Sequence, residues 1–440
     1  MIRCLARASM WLVLLAAVGG THAATGETPS DDGAAGPRQS ELVEKRKAKA
    51  AHLAPYRPGF LERSLLAFEK AERPAIYEVN LWGAYPRIQT IDHRSQWAAG
   101  ARLWKPDVTG SGIDLAGAAF LSLQGFQYYE AQVGMVPHRG RSKPLFATKT
   151  DDVFELPNVR ADDNRRLMLY GSYAYRWAPR FDYWGLGIDT SAGGRVAFLQ
   201  KDSTYEAVGG YRATPWLTLG ARAGYYTVFL GEGRDDELPS IETLYTDETA
   251  PGLAEQPDFW RLGTWAVVDT RDVAANPHRG ALAAVLWTRY DDRKGDAYRF
   301  DRFAADGRLY LPLGHPQRVL ALRTYYSQDD PAPGARAPFY LLASLGSSKT
   351  LRGYESQRFR GERVLLFQGE YRIEAAPALE LAFFADAGTV AVLRNDPLED
   401  LRADWGIGLR IKAHEAVLVR IDAAWGDEGF KFALRFSPVF

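Results

Sequence analysis

The chain has 440 residues with 54 basic and 54 acidic side chains, and this balance gives no reason to expect nucleic acid as a partner. Its mean hydropathy is −0.28, and beyond the N-terminus no apolar run approaches the roughly 20 residues that a membrane-spanning helix needs. Aromatic residues make up 12% of the chain and glycines number 41, which favours a β-rich chain with tight turns. A soluble β-sandwich or propeller would have a similar composition.

The N-terminus has the order of a secretory signal peptide, predicted to span residues 1–23. Arg3 and Arg7 precede an apolar run at 10–18, and small residues follow. No cysteine follows that run, so a lipoprotein anchor is not expected. The single cysteine, Cys4, lies in the leader, and the exported chain is therefore predicted to have neither disulfides nor cysteine-based metal sites.

Residues 24–74 are predicted to form a periplasmic linker followed by two short helices. The stretch 24–38 is small, polar and rich in Gly and Pro, which is typical of a disordered linker. Ser40 is a suitable N-cap for the first helix, and residues 60–72 have apolar side chains at helical spacing. Both helices are too short to build an independent domain with its own core.

From about residue 75 to the C-terminus at 440, apolar residues recur at every second position. This alternation gives each strand one apolar and one polar face. An even number of such strands is typical of a bacterial outer-membrane barrel. The predicted fold class is therefore all-β, a transmembrane antiparallel β-barrel over residues 75–440. Sixteen strands are predicted, near residues 77, 94, 111, 125, 165, 195, 216, 259, 279, 298, 316, 361, 377, 402, 416 and 429.

The connections between these strands also follow the barrel pattern, with one exception. Short connections, such as 312–317 and 375–378, alternate with long ones, such as 231–258 and 329–360. Short periplasmic turns and long external loops are usual in such barrels. Residues 138–164 are long and charged where the count requires a periplasmic turn, so either a strand is miscounted there or the turn is unusual.

The last strand favours a barrel over a soluble sandwich. Phe430, Phe432 and Phe436 alternate with polar or small residues, and the sequence ends on Phe440. A terminal aromatic side chain fits the lipid interface, where aromatic girdles lie. Phe436 and Phe440 are therefore interpreted as the C-terminal barrel signal.

A basic segment, SSKTLRGYESQRFRG, lies in the long connection before the strand predicted near 361. In that strand Phe367 and Tyr371 share the apolar, lipid-facing parity, so Glu370 points into the barrel, and the next strand directs Asp386 inward in the same way. The planar fork of Arg352 suits carboxylates. We expect Arg352 to dock on both acids inside the lumen. The alternative is a loop solvated outside the barrel.

Four short motifs resemble the BamA/TamA superfamily of outer-membrane assembly factors, often called bacterial surface antigens. They are LRGY at Leu351, Arg352, Gly353 and Tyr354, EYR at 370–372, FADAG at 384–388, and the terminal Phe440; DTRDVAANPHRG at 269–280 and DYWGLG at 182–187 extend the resemblance over roughly residues 75–440. The resemblance implies a sixteen-stranded barrel whose sixth external loop places this arginine inside the lumen. Its implied partners are acids of the following strands, here Glu370 and Asp386. Gly353 is expected to allow a backbone conformation closed to other residues.

The resemblance implies assembly or translocation of proteins or lipids at the outer membrane of a Gram-negative cell, after Sec-type export. Family members normally carry periplasmic POTRA domains, and the mature residues before this barrel are too few for one. A plugged lumen is predicted, because the loop that carries Arg352 is expected inside it. A weak seam between the first and last strands is also predicted, because Gly83 and Pro86 fall in the first strand and Pro438 in the last. Alternatively, these prolines only mark strand ends and the barrel is a passive channel.

No catalytic motif is present, so no enzymatic activity, metal or cofactor is expected. The sequence lacks a GxSxG elbow, a Walker loop and an HExxH helix, and its histidines have no ligand spacing. The acidic pairs at 151–152 and 162–163 are interpreted as solvated loop residues. The expected partners are outer-membrane lipid, the barrel assembly machinery for the chain's own insertion, and unfolded outer-membrane protein or lipid as substrate.

Overall fold

The computed structural model describes residues 83–136, 146–148 and 166–435, with gaps at 275, 316, 377, 394–395, 397 and 414–415, and residues 44, 45 and 48 near the N-terminus, which are helical. The predicted signal peptide, nearly all of residues 24–74, and the terminal residues Phe436, Pro438 and Phe440 lie outside this part of the chain. Contacts divide the chain into two compact units, residues 1–66 and 67–440. The strands all belong to the second unit.

The second unit is an antiparallel β-meander. Its strands are β1 (Ala84–Thr90), β2 (Ala98–Lys105), β3 (Asp114–Ser122), β4 (Gln127–Met135), β5 (Phe146–Thr148), β6 (Leu167–Tyr183), β7 (Val196–Thr214), β8 (Leu217–Glu232), β9 (Phe259–Asp269), β10 (Gly280–Asp292), β11 (Phe300–Pro312), β12 (Arg318–Pro331), β13 (Ser344–Leu345), β14 (Phe359–Arg360), β15 (Arg363–Ala376), β16 (Leu379–Ala391), β17 (Arg402–Ala413), β18 (Ala416–Gly426) and β19 (Gly429–Arg435). Two 3₁₀ turns, Ala192–Gly194 and Ile241–Thr243, lie in loops.

Sixteen of these strands form the barrel wall, as predicted. Each pairs antiparallel with its neighbour in chain order, except that β4 pairs directly with β6 and β12 directly with β15. The three-residue β5 pairs in parallel with the end of β1, and β13 and β14 form a separate hairpin inside the β12–β15 loop. The predicted fold class is thus confirmed. The first described strand begins at Ala84, and the expected start near residue 77 lies outside the described residues.

Burial alternates along the strands as the sequence pattern requires. In β15, Leu366, Gln368 and Glu370 are buried while Phe367 between them is exposed, and the same alternation runs through β16. The exposed parity carries apolar side chains and the buried parity carries many charges. The inward face is therefore the polar face of the wall, and the outward face is the apolar face that lipid covers.

The long connections lie at one end of the meander, which we call the external end. This end holds the β6–β7, β8–β9, β10–β11, β12–β15 and β16–β17 connections. The β4–β6 connection is the exception, because it is long but leaves β4 and enters β6 at the opposite end. Of its residues, 136, 146–148 and 166 are described, and residues 146–148 pair with residues 88–90 of β1. Since β4 pairs directly with β6, the predicted strand count is unchanged there. Among the described residues, no helix has the length and apolarity needed to cross a bilayer.

A packed aromatic cluster fills the interior near the external end. Phe339, from the β12–β15 loop, lies 4.8 Å from the ring of Tyr183 and 5.2 Å from that of Phe198, between ring centroids. Ile241 and Leu253, from the β8–β9 loop, are buried in the same cluster. Loop residues and inward-facing strand residues thus share one hydrophobic core. This part of the barrel is a protein interior rather than a water-filled pore.

Candidate functional site

The β12–β15 loop, residues 332–362, folds into the barrel and is called the inner loop below. Its tip carries Arg352, which is 4% exposed. The guanidinium donates from Nη1 to Glu370 Oε2 at 2.6 Å, and from Nε and Nη2 to the two oxygens of Asp386 at 2.7 and 2.8 Å. Its Cζ also lies 3.4 Å from the centroid of the Phe384 ring. The structure therefore brings the three predicted residues together, with a bidentate pair on Asp386.

Glu370 is the centre of a wider ionic network on the barrel wall. Besides Arg352, it accepts from Arg372 Nε at 2.8 Å and from Arg410 Nη2 at 3.0 Å. Arg410 also donates to Asp422 at 2.6 Å, and Asp422 lies 3.0 Å from Arg420 Nε. The network joins β15, β17 and β18 to the loop. It surrounds one carboxylate with three guanidinium groups in a site that water does not reach.

The network returns to the inner loop through backbone oxygens. Arg420 Nη2 donates to the carbonyl of Ser348 at 2.6 Å, and Gln368 Nε2 donates to the carbonyl of Thr350 at 2.7 Å. Arg323 of β12 donates to the carbonyl of Lys349 at 3.2 Å. The tip is therefore held by its main chain as well as by Arg352. Each of these bonds satisfies a carbonyl that would otherwise be buried without a donor.

Gly353 provides space at the tip. A Cβ at this position would lie 2.7 Å from the Cβ of Asp404 and 3.0 Å from the backbone N of Gly426. Its φ is not among the positive values that favour glycine, so the expected reason for this glycine was wrong. The glycine lets the loop backbone approach β17 and β18 closely. On either side, Leu351 and Tyr354 are buried, and the Tyr354 hydroxyl donates to the carbonyl of Ala403 at 3.2 Å.

The other arginines of the basic segment are also bound. Arg358 donates from Nε to Glu428 at 2.8 Å and from Nη1 to Thr190 Oγ1 at 2.6 Å. Arg360 donates to the carbonyl of Phe339 at 2.6 Å. Sequence reasoning assigned a role only to Arg352. The spacing of the other two arginines gives no indication of their partners, and those of Arg358 lie far along the chain.

Sequence reasoning also missed an unusual carboxylate, Asp404. It stands directly opposite Asp386 in the β16–β17 register and is 3% exposed. Neither of its oxygens accepts a hydrogen bond from the described residues. The alternation of β17 places Asp404 on the inward face. This was the only feature of the sequence that could have predicted its position among the lumenal acids. Two acids facing each other on neighbouring strands repel, so this position weakens the network that Arg352 completes.

A second polar cluster lies toward the opposite end of the lumen. Asn276, from the β9–β10 turn, is buried and contacts Glu380 and Arg372, both at 3.4 Å. Lys412 lies 2.5 Å from Glu374 there. The DTRDVAANPHRG motif thus reaches the interior. Among the described residues, no three His, Cys, Asp or Glu side chains gather in a way that could hold a metal ion. The acidic pairs at 151–152 and 162–163 lie outside them.

Comparison with known proteins identifies the family. The profile of the Omp85 superfamily domain matches residues 187–436, more than half of the chain. Among solved structures, BamA from Haemophilus ducreyi lacking POTRA domains 1–3 superposes with a TM-score of 0.54 at 14% identity, covering 90% of this chain and 81% of that one. CdiB from Escherichia coli gives a TM-score of 0.48 at 12% identity, covering 81% and 63%. No curated protein matches the sequence. The chain belongs to the Omp85 superfamily of outer-membrane β-barrel proteins.

Proposed function

We propose that this chain is an outer-membrane assembly or translocation factor. It moves proteins or lipids through a barrel that is plugged by its inner loop and that opens sideways between β1 and β19. Membership of the Omp85 superfamily supports an insertion or translocation barrel. The observation that carries the proposal is the inner-loop tip, held inside the lumen by Arg352 on Glu370 and Asp386.

The filled lumen argues against the alternative, a passive channel. Free diffusion needs a continuous aqueous path, whereas the inner loop supplies Phe339 and Leu342 to an aromatic core and Arg352 to an ionic network. A barrel of this strand number would otherwise enclose water. Material that moves through such a barrel requires either a displaced loop or a path through the wall.

Two properties of the first and last strands support an opening in the wall. Over the described residues, β1 and β19 are the shortest barrel strands, with seven residues each. Pro86 lies within β1 and has no N–H to donate to a ladder. Gly83, expected in the same strand, instead precedes it in a turn with a φ of 95°. A lost ladder bond weakens a seam by roughly 0.5–1.5 kcal/mol.

The inner loop also holds the last strand directly, which would couple the plug to the seam. Glu355 lies 2.5 Å from Lys431 of β19, and Ser348 Oγ accepts from Arg435 Nε at 2.9 Å. Displacing the loop removes both contacts from β19 together. A substrate that pushes the loop aside would therefore loosen the strand that has to separate from β1.

The test is a disulfide lock across the seam. The only natural cysteine is Cys4, so introduced pairs are unambiguous. A panel of pairs, one cysteine in Ala84–Thr90 and one in Gly429–Arg435, is screened for crosslinking. The best pair is then assayed for rescue of the outer-membrane defect of a strain lacking this gene. We expect the oxidised pair to abolish rescue and the reduced pair to restore it.

The matched control is a lock that cannot close the seam. Ile421 and Leu434 face each other on β18 and β19 and share the lipid-facing side, so the pair Ile421→Cys with Leu434→Cys joins strands that already form a hairpin. This control should leave rescue intact under oxidation. Full rescue by the crosslinked seam pair would discard lateral opening.

Substrate and partners follow from the same proposal. The predicted periplasmic segment 24–74 precedes the barrel in the sequence, as POTRA domains do in family members. We propose that this segment is the first part of the chain to bind the substrate, either unfolded outer-membrane protein or lipid. Photocrosslinking from residues 40–72 in cells would identify which of these two substrates the segment contacts. Crosslinks to outer-membrane proteins in transit support a protein substrate, and crosslinks to lipid support a lipid substrate.

A further inference from the structure

We propose that a phosphate-bearing lipid of the outer leaflet binds on the outside of the barrel, on the external halves of β6 and β7. The site consists of Trp177, Lys201 and Arg234 and is called the rim site below. Lys201 stands opposite Trp177 in the β6–β7 register, and its Nζ lies 5.7 Å from the centroid of the indole. The Cζ of Arg234 lies 5.8 Å from the same ring. One aromatic ring is thus in contact with two cations.

The rim site lies on the lipid-facing side of the wall. Trp177 has the same parity as Tyr173 and Tyr175, and Lys201 the same parity as the exposed Tyr205, whereas the neighbouring Gln200 is buried inside. Tyr173 and Tyr205 lie 4.9 Å apart and form part of an aromatic belt on this face. Such belts mark the edge of the hydrocarbon layer.

Its height along the strands places it at the level of lipid headgroups. Trp177 lies two residues beyond Tyr175 toward the external end, which is about 7 Å along a strand. The β3–β4 turn beside it presents Leu123, a fully exposed apolar side chain. A lipid seated here would lay its acyl chains on Tyr175 and Leu123 and its headgroup on the two cations.

The charges at the rim site are not neutralised by the protein. Lys201 and Arg234 are both exposed, and neither pairs with a carboxylate among the described residues. Asp235, the residue that follows Arg234, is already bound to Arg94 and lies 3.6 Å from Arg180. The Arg234 backbone N–H donates to the carbonyl of Pro179 at 3.0 Å, which fixes the loop next to β6.

A small cavity adjoins the cations and would admit a headgroup. It has a volume of about 380 Å³ and is lined by Gln124, Gln127, Trp177, Arg180 and Arg234, among others. Amide donors and guanidinium groups are the protein groups that hold phosphate oxygens. Basic pockets beside membrane strands or helices recognise phosphorylated headgroups in the same way. The rim site therefore combines an anion subsite with an apolar surface for chains.

The test measures lipid binding to the full-length protein in detergent by native mass spectrometry. The probes are dioleoyl phosphatidic acid, dioleoylglycerol, which has the same chains without phosphate, and inorganic phosphate. The variant is Lys201→Gln with Arg234→Gln. The matched control, Lys294→Gln with Arg299→Gln, removes the same charge from the exposed β10–β11 loop. We expect wild type and control to prefer phosphatidic acid over dioleoylglycerol, and the rim variant to bind phosphatidic acid about tenfold more weakly.

Each other outcome overturns the proposal. Equal binding of phosphatidic acid by the rim variant and the control would show that these cations do not hold the headgroup. Inorganic phosphate that competes as well as the lipid would show an anion site without lipid specificity. To separate binding from misfolding, the exchange Lys201→Arg with Arg234→Lys keeps both charges and should retain binding, and all variants should keep the heat-modifiable mobility of a folded barrel.

Discussion

Among the described residues, Arg352 is the only cation paired with the buried carboxylate of Asp386. Without Arg352, the negative charges of Asp386 and Glu370 repel each other, although Glu370 still binds Arg372 and Arg410. Breaking one partner out of a buried ionic network typically costs about 3–5 kcal/mol, because the remaining charge stays desolvated. We expect Arg352→Ala to destabilise the barrel by about this amount and to release the loop tip.

The measurement for Arg352→Ala is limited proteolysis combined with thermal unfolding. New cleavage should appear between Ser347 and Gly361, with a lowered melting temperature. Arg299→Ala is the matched control, because Arg299 is exposed and its partner Asp296 is more exposed still. Unchanged protection of 347–361 in Arg352→Ala would contradict the role given to this contact.

Asp404 gives a prediction of opposite sign. Its carboxyl group faces Asp386 and makes no hydrogen bond of normal geometry with the described residues, so in its ionised form it would oppose the fold where Arg352 docks. Asp404→Asn removes the repulsion and adds two amide donors near Asp386. We expect stability to rise by about 1–3 kcal/mol, the usual cost of a buried unsatisfied polar group.

Thermal unfolding of Asp404→Asn measures this change, with Asp236→Asn in an exposed loop as the control for charge alone. A loss of stability comparable to that of Arg352→Ala would mean that Asp404 supports the network instead of weakening it. The double variant with Arg352→Ala adds a further check, since the two effects should be non-additive within one network.

At the residue scale, alternation in the sequence predicts which way a side chain faces but not which charges meet. Glu370 and Asp386 lie on long, regular strands whose alternation assigns them to the inward face, and the structure buries both of them. The pairing of Arg358 with Glu428 joins a loop to a hairpin far along the chain, and no local pattern encodes it. Gly353 shows the same limit, because its close approach to Asp404 depends on where two strands and a loop meet.

The β1–β2 connection is an element whose attachment we expect to depend on pH. His93 lies there, with Nδ1 2.5 Å from Asp92 and Nε2 3.0 Å from Asp182 of β6. Burial alone would lower the pKa of His93, but the two carboxylates outweigh it and raise the pKa to about 10. The imidazolium therefore clamps the loop onto β6 across the neutral range.

The raised pKa of His93 fixes the sign of the pH dependence. A histidine with a folded pKa near 10 and an unfolded pKa of 6.5 contributes stability that is fully present below pH 6.5 and is lost as the pH rises through 10. We expect amide exchange at 91–97, corrected for its intrinsic pH dependence, to increase between about pH 7 and 10.

His93→Gln is the control for the loop, since glutamine keeps hydrogen bonding without a titrating charge. Its corrected exchange at 91–97 should be faster than wild type near pH 6 and should no longer change with pH. A wild-type loop whose corrected exchange is equally slow at pH 6 and pH 10 would refute the clamp.

At the element scale, long alternating segments were predictable and short ones were not. Strands such as β8 and β17 begin at or next to their expected positions because several consecutive residues share one pattern. The hairpin of β13 and β14 has two residues in each strand, too few to show a periodic pattern in the sequence. It forms because the inner loop is packed inside the barrel, which is a tertiary cause.

The molecule as a whole combines a wall of ordinary barrel strands with an interior that is packed like a soluble core. The wall followed from strand count and composition. A loop inside the lumen was predicted, but its aromatic core was not, because residues such as Phe339 and Tyr340 belong to a loop and have no periodic partner in the sequence. The proposed plug therefore depends on contacts from the whole barrel, and conductance is the measurement that tests it.

In planar bilayers, we expect the wild-type protein to show small, flickering openings, because the proposed plug would leave little room for a continuous aqueous path. Arg352→Ala combined with Arg358→Ala removes the ion pairs to Asp386, Glu370 and Glu428 that hold the loop, and should produce larger and longer openings. Arg299→Ala should leave the wild-type pattern unchanged. Large, steady openings of the wild type would instead favour a passive channel, and would remove the main physical reason for assigning the inner loop the role of a plug.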